Sequence, residues 1–533
     1  MATSQKSIGD LLTMMDQSEL VLPEIQRDFV WNRKNVLLLF DSLYRGLPIG
    51  YMLVWKAKTA VASKSFKKTK KLRVGQQIDR MYGYLLDGQQ RLTAIQLVRD
   101  GHDDYPLMFS LWIENSEDTD ADRFYYRNRR QKQHDPWCIP VSDILNGLIH
   151  PLNVIETLKN DDDFDYKKDA DRVYADITKL QSMLKYGIGL IEFEEDDYRK
   201  ATELFIRFNA TGKRLKRSDL VAADLALTLP SIISNYIIKA RTKFTKRYRF
   251  NFTNPFLIQC LAAVRTGHAE FKKNVNIWAN SKPKQILKSW QKTELGIDRT
   301  IEFITGVVKW DSDSWLPSIN ALIPLIYIFS HYKLTHNERL QARKWLHQAC
   351  IHAAFSGSVY SELDRLLRGL SKECSVEKLL SLSKRTIGRI HTYHFDTNRR
   401  SGPTMALYIS MLRDQNSKDW INRTSLDGTV VGHNAELQIH HFFPKALLKA
   451  HGYSASYINN FGNYTIISKN TNLDIRDTEP YNYIKDYRIR ENDLVDQCIP
   501  NNKNLWRVRN YTRFLEKRRK LLAKACNSFL EER

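Results

Sequence analysis

No cysteine in this chain has a near neighbour of its own kind. The six, Cys138, Cys260, Cys350, Cys374, Cys498 and Cys526, are scattered singly, without a Cys-x-x-Cys pair. That argues against a zinc ribbon and against a disulfide framework; reduced thiols, mostly in the core, are expected. The N-terminus, Met-Ala-Thr-Ser-Gln-Lys-Ser, carries no apolar signal core, and no uninterrupted apolar stretch reaches transmembrane length. A soluble cytoplasmic protein with no membrane partner is expected. Internal repeats and low-complexity tracts are absent, and so is a P-loop (Gly-x-x-x-x-Gly-Lys-Ser/Thr). Any nucleotide chemistry must therefore use another cradle.

What is present is bulk and positive charge. At 533 residues the chain is too long for one ordinary core, so two to four domains are expected. A composition of 42% hydrophobic and 27% charged residues is that of a folded protein. The formal net charge of +22 favours nucleic acid or another polyanion through phosphate neutralisation and counterion release. Basic segments such as Lys213–Arg217, Lys239–Arg249 and Lys517–Lys520 could track phosphates, though each alone reads as a solvated face. The 25 tyrosines and 11 tryptophans allow a base-stacking pocket, although most will be core.

Along the chain, Leu22–Arg27 reads as extended, Lys34–Tyr44 as a helix and Gly50–Trp55 as a strand. A lysine-rich insertion at 56–80 is expected to be a mobile loop or a phosphate-contacting arm. Met81–Leu86 reads as a strand and Leu92–Arg99 as a helix. A second unit follows, with a strand at Ile188–Phe193, a helix from Tyr198 to Phe208, a turn at 209–212 and a helix capped by Ser218 or Asp219. From 230 to 400 the chain reads as largely helical and basic, with good apolar helices at Ala321–Tyr332 and Arg339–Ala354. A short strand–loop–strand–helix occupies 425–490, and a basic helix runs over Leu505–Leu530.

Two constellations carry chemistry. The first is Leu86-Asp87-Gly88-Gln89-Gln90-Arg91-Leu92-Thr93, which joins a strand to a helix. A helix N-terminus offers unpaired N–H groups and a positive dipole end, which favour an anion. Arg91 in the first turn opposes that dipole, which makes most sense with a phosphate or carboxylate between them. Gly88 permits close backbone approach, and Gln89 and Gln90 can hydrogen-bond a nucleotide or a water. An ordinary turn with Asp87 as N-cap is the open alternative. The second constellation is His440-His441 within 436–445, followed by Asn463 in Gly-Asn-Tyr-Thr and Asn472 in Asn-x-Asp-Ile. Adjacent side chains of a regular strand point to opposite faces, so convergence of the two histidines requires a bend there, and Pro444 is placed to end the strand. His391, His394 and His433 lack such a context and read as structural.

The His-His, Asn, Asn order resembles an HNH (ββα-metal) nuclease core. The resemblance makes His441 the general base on a water, His440 and Asn472 the metal ligands, and Asn463 the residue that orients the base or the fold around it. Many such sites carry a carboxylate where this chain has His440. An imidazole suits transition metals better than magnesium, which leaves Mg²⁺, Mn²⁺ or Ni²⁺ open. The Asp-Gly-Gln-Gln-Arg-Leu-Thr string resembles the signature of the ParB/sulfiredoxin-like DGQQR family. Pro23-x-x-Gln26-Arg27-x-Phe29-x-Trp31 and the segment from Phe205 through Asn209 and Gly212 to Asp219-Leu220 resemble two further pieces of it, so the likeness covers roughly residues 8–228. That family commonly precedes an HNH domain, as in GmrSD-type type IV restriction enzymes and antiphage nucleases.

The resemblance implies an α+β, predominantly helical chain. It would hold a ParB-like α/β domain at 1–228, a helical connecting domain at 229–400 and an HNH domain embedded in helices at 401–533. It also implies a nucleotide site (GTP or ATP) at Asp87, Gly88, Gln89, Gln90 and Arg91, supported by Gln26, Arg27, Asn209 and Asp219. Asp87, Gln90 and Arg91 would take part in hydrolysis. The partner would be DNA, foreign or modified, with a homodimer left open. Two other readings stay open: a DNA- or nucleotide-sensing N-terminal domain without turnover, and a binding protein with a degenerate HNH core.

Overall fold

The structure, a computed structural model, describes residues 2–23, 29–59, 63–64, 77–102, 104–112, 123–127, 135–196, 200–201, 204, 217–229, 231–269, 278, 281–356, 359–426 and 437–531. It divides into two compact units, 1–235 and 236–533. The described residues are mostly helical with three small sheets, so the α+β, predominantly helical reading holds.

The first unit is organised by a six-stranded mixed sheet. Its strands are β1 (Ala2–Ser7), β2 (Leu20–Pro23), β3 (Met52–Thr59), β4 (Ser63–Lys64), β5 (Gln77–Asp87) and β9 (Gly187–Glu194), in the order β1-β9-β3-β5-β2-β4. A three-stranded sheet of β6 (Leu107–Ser110), β7 (Phe124–Tyr126) and β8 (Cys138–Pro140) has β6 at its centre. Helix α1 (Ile8–Asp16) begins in a capping box, with Ser7 Oγ accepting the Asp10 N–H at 3.1 Å. Helix α2 (Arg33–Arg45) is capped by Asn32, and Val36, Leu39, Phe40, Leu43 and Tyr44 form its buried stripe, the 3–4 spacing of an amphipathic helix. Helix α3 (Gln89–Arg99) follows β5 directly.

Several expected boundaries shift. The strand expected at Gly50–Trp55 starts at Met52, because Gly50 has φ +85° and Tyr51 is exposed. The DGQQR helix starts at Gln89 rather than Leu92. Strands β3 and β5 and the two-residue β4 take up both ends of the expected insertion, whose middle, with the segments at 197–199 and 205–216, lies outside the described residues. The next described helix is Arg217–Thr228, so Ser218 and Asp219 lie within a helix and neither is its cap.

The described residues of the second unit are helical around one two-stranded sheet. Its long helix Pro283–Phe303 packs on the apolar helix Ile323–His331, where Gly296 allows the approach: a Cβ there would lie 2.1 Å from Ser330 Oγ. The expected Ala321–Tyr332 helix is a 3₁₀ turn, Ile319–Leu322, followed by Ile323–His331, with Pro324 in the first helical turn, where no N–H partner is needed. The helix expected over Arg339–Ala354 runs His336–Ile351, started by a Thr335–Glu338 capping box. The C-terminal helix is Tyr511–Glu531, preceded by 3₁₀ turns at Lys503–Trp506 and Val508–Asn510. Strands β10 (Leu437–His441) and β11 (Tyr464–Ser468) pair antiparallel, and the helix Lys469–Ile475 leaves β11 without a gap. Beneath them Trp420, Phe442, Phe443, Ile467, Tyr483 and Phe514 form a compact aromatic core.

Candidate functional site

In the second unit the site is built on β10, β11 and the helix that follows. His440 pairs with Thr465 and His441 with Tyr464, in unbroken antiparallel register. The strand ends at His441 not because of Pro444 but because Asn463 takes over the next two N–H groups. The Asn463 main-chain carbonyl accepts from Phe442 at 2.7 Å, and its Oδ1 accepts from Phe443 at 2.8 Å. Asn463 Nδ2 donates to the carbonyls of Phe443 and Ile458, both at 3.1 Å. Fully buried, it fixes the turn behind the histidines. Among the described residues its hydrogen bonds reach neither imidazole, so it orients the fold rather than the base. Pro444 instead precedes the helix Lys445–Ala450.

The alternation of the strand sends the two histidines to different neighbours. Gln438, two residues before His440, accepts the Asn472 Nδ2–H at 2.9 Å, which leaves Oδ1 of Asn472 as its acceptor end. His440 lies by Asn472, and its Nε2 is buried with no hydrogen-bond partner among the described residues. Burial lowers its pKa to about 4, with His441 and Arg400 acting in the same direction and Asn472 against it. His441 packs beside the Tyr464 ring at 5.2 Å, and its Nε2 lies 3.1 Å from Asn459 Oδ1 and 3.3 Å from Arg400 Nη2. Burial lowers its pKa to about 4 as well, aided by Arg400 and Lys445 and opposed by Asn459. Both imidazoles are therefore neutral at pH 7.

The Asn472 helix is positioned from below. Ser468 caps it, accepting the Thr471 N–H at 3.1 Å. The buried Asp419 carboxylate accepts the Ser468 N–H at 2.6 Å and the Thr471 hydroxyl at 2.5 Å. The outer edge of β11 is closed by Gln497, whose side chain accepts the Ile466 N–H at 2.9 Å and donates to the Ile466 carbonyl at 2.7 Å. Gln497 thus replaces a third strand.

Among the described residues no group of three or more His, Cys, Asp or Glu comes together to hold a metal. A cation at His440 and Asn472 would have two protein ligands, with its other positions left to water or substrate oxygens, the open coordination that catalytic metal sites need. Of His391 and His394, expected to be structural, the first precedes and the second lies within the 3₁₀ turn Thr392–Phe395, and they pack with His352, Tyr393 and each other; His433 lies outside the described residues. Arg400, Asn459, Asp419, Gln438 and Gln497 had no signature in the sequence. Each acts on a residue 18 or more positions away, and no spacing rule reaches that far.

In the first unit Gly88 is the N-cap of α3, with φ +91° and no side-chain cap, so Asp87 is not the cap. A Cβ at Gly88 would lie 2.6 Å from Met52 Cγ, so glycine is required on both counts. Arg91 Nη2 donates to Asp87 Oδ2 at 3.2 Å and to the Tyr51 carbonyl at 2.7 Å, and Nη1 donates to the Ile49 carbonyl. The carboxylate that sits by Arg91 is Asp87's own. Burial lowers the Arg91 pKa, and Asp87 counters it. Gln89 and Gln90 are buried, and Gln90 Oε1 accepts the Val30 N–H at 2.8 Å. That bond ties the DGQQR helix to the Phe29-x-Trp31 segment. Gln26, Arg27 and Asn209 lie outside the described residues, as does the side chain of Asp219.

Two comparisons with known proteins bear on this geometry. An uncharacterized protein of Methanocaldococcus jannaschii is 20% identical over 541 residues, covering 90% of this chain and 86% of its own length. Residues 8–226 match the family described as the GmrSD restriction endonuclease, N-terminal domain. The first unit, with the DGQQR turn at the end of β5, is accordingly similar to the N-terminal domain of GmrSD restriction endonucleases.

Proposed function

We propose that the chain is a metal-dependent HNH endonuclease of the restriction type, acting on DNA and controlled by a nucleotide bound at its DGQQR turn. The observation that carries the nuclease reading is the meeting of His440 and Asn472 across β10 and the helix after β11, with a neutral imidazole whose Nε2 is buried and has no partner among the described residues. An orphaned buried nitrogen costs free energy unless a ligand uses it. It must also be unprotonated to bind a metal, which its burial ensures. These residues suit a divalent cation, and His440 favours Mn²⁺ or Ni²⁺ over Mg²⁺. When bound, such an ion would stabilise the charge that builds on the phosphate and the leaving oxygen.

The protein's own groups supply the rest. His441, neutral at pH 7, accepts a proton from the attacking water. Asn459 holds its imidazole, and Asn463 holds the turn on which it stands. The excess of basic residues draws the DNA backbone and makes the activity salt-sensitive.

At the N-terminal unit, α3 begins at Gly88, which has no side chain to cap it, and a helix N-terminus of this kind suits a nucleotide phosphate. Arg91 spends its donors on Ile49, Tyr51 and Asp87. It therefore positions the 49–51 loop, and this favours nucleotide sensing as a second reading for this unit. Phosphate release that survives Asp87→Asn and Arg91→Gln would support sensing; release lost in both supports hydrolysis.

The deciding experiment is nicking of supercoiled plasmid, plain and modified, with Mg²⁺, Mn²⁺ or Ni²⁺ and with or without nucleotide. Wild type nicks and His441→Ala does not. Equal inertness of the two under all three ions overturns the nuclease reading.

A further inference from the structure

Arg400 stands in the segment between the 3₁₀ turn Thr392–Phe395 and the helix Pro403–Asp414. The main chain of that segment is fastened to the ββα core. The Phe461 N–H donates to the Thr397 carbonyl at 2.7 Å, and the Tyr464 hydroxyl donates to the Asn398 carbonyl at 3.3 Å. The guanidinium lies over the Tyr464 ring at 5.3 Å, with Nη2 3.3 Å from His441 Nε2. Among the described residues no carboxylate pairs with it.

Two neighbours thus compete for one nitrogen. A guanidinium only donates, so Arg400 requires a lone pair on Nε2. The Asn459 oxygen, 3.1 Å from the same Nε2, only accepts, so it requires a proton there. A neutral imidazole carries its one proton on either nitrogen but not on both. Arg400 selects the tautomer with Nδ1–H. Asn459 selects the tautomer with Nε2–H, which leaves the lone pair on Nδ1, a nitrogen with no partner among the described residues. Only the second tautomer can take a proton from water at Nδ1.

We propose that Arg400 is a substrate-operated latch on His441: it holds Nε2 in the absence of DNA and is drawn off by a backbone phosphate, whereupon Asn459 fixes the base-competent tautomer. This rests on the nuclease reading above. The transfer is favourable because Arg400 exchanges a neutral nitrogen acceptor for an anion, which adds the attraction of opposite charges to a hydrogen bond it already makes. No proton is gained or lost overall; one leaves Nδ1 for solvent and one arrives at Nε2. Arg400 is a positioning residue in this scheme. It couples base activation to a seated duplex.

The test uses the full chain with ¹⁵N-labelled histidine, and long-range ¹H–¹⁵N spectra at pH 7.5 that distinguish the two tautomers. The His441 signals are identified by their loss in His441→Ala. Wild type is expected in the Nδ1–H form alone and in the Nε2–H form with a duplex oligonucleotide in the presence of chelator. Arg400→Met is expected in the Nε2–H form without DNA. Asn459→Ala is expected to stay Nδ1–H with DNA bound. A wild-type tautomer unchanged by DNA overturns the latch, and this measurement needs no variant to fold. In nicking, Arg400→Met should raise KM about tenfold, the weight of one charged contact, with kcat changed far less. A fall confined to kcat would make Arg400 a transition-state group and overturn the latch. Wild type inert in nicking, yet switching tautomer with DNA, would remove the nuclease reading while leaving the latch in place.

Discussion

Gly50 and Arg91 are fitted to each other: a Cβ at position 50 would lie 2.9 Å from Arg91 Nη1, and Gly50 holds φ +85° besides. The loop can thus offer the Ile49 and Tyr51 carbonyls to one guanidinium. Gly50→Ala meets both strain and displacement and should cost about 1–3 kcal/mol. Urea unfolding of the full chain checks this; an unchanged midpoint for the first unit would show that the fit has no energetic weight.

Asn463→Ala removes one acceptor and two donated bonds at a fully buried position. At roughly 1 kcal/mol or more for each buried group left unpaired, the loss should be about 3 kcal/mol. Because Asn463 positions the turn after His441, nicking should fall together with the unfolding midpoint. A stable but inactive variant would instead assign Asn463 a direct part in the chemistry.

Gln438→Ala removes the acceptor that orients the Asn472 amide. The half-saturating metal concentration for nicking should rise 10- to 100-fold, the usual weight of a group that orients a ligand. Saturating Mn²⁺ should restore most of the rate. Calorimetric metal titration alongside the nicking assay separates this from a loss of fold.

His347 is fully buried beside Trp310 and Phe529, and among the described residues neither ring nitrogen has a hydrogen-bond partner. Burial, with Arg343 nearby, lowers its pKa to about 3. The folded state thus binds this proton more weakly than the unfolded chain, whose histidines titrate near ~6.5. The stabilisation is complete above that value and is lost as pH falls toward 3, at up to about 1.4 kcal/mol per pH unit. Urea midpoints at pH 7.5 and 5.5 should differ in wild type, and by about one proton's worth less in His347→Phe. An equal pH dependence of the two would contradict this assignment.

Much of the scaffold was legible from local pattern. The 3–4 spacing of Val36, Leu39, Phe40 and Leu43 gave α2 to within a residue at each end. The strands at 188–193 and 81–86 were found short of their true ends. The misplaced boundaries fall where one residue's conformation decides: Gly50 delays β3, and Gly88 rather than Asp87 starts α3. The end of β10 was assigned to Pro444, whereas the hydrogen bonds that Asn463, about twenty residues on, accepts from Phe442 and Phe443 set it.

The order His440, His441, Asn463, Asn472 is written in the sequence, because a strand pair with a helix directly after it is a local construction with a short connection. Sequence alone also determined the charge that seeks a polyanion and the glycine of the DGQQR turn. The tertiary structure decided what surrounds each group. It brought Arg400 to His441 across 41 positions, Asp419 to Ser468 across 49, and Gln90 to Val30 across 60. Hydrogen-bond partners and burial set the protonation and tautomer of an imidazole, and both depend on distance in space, which folding alone supplies.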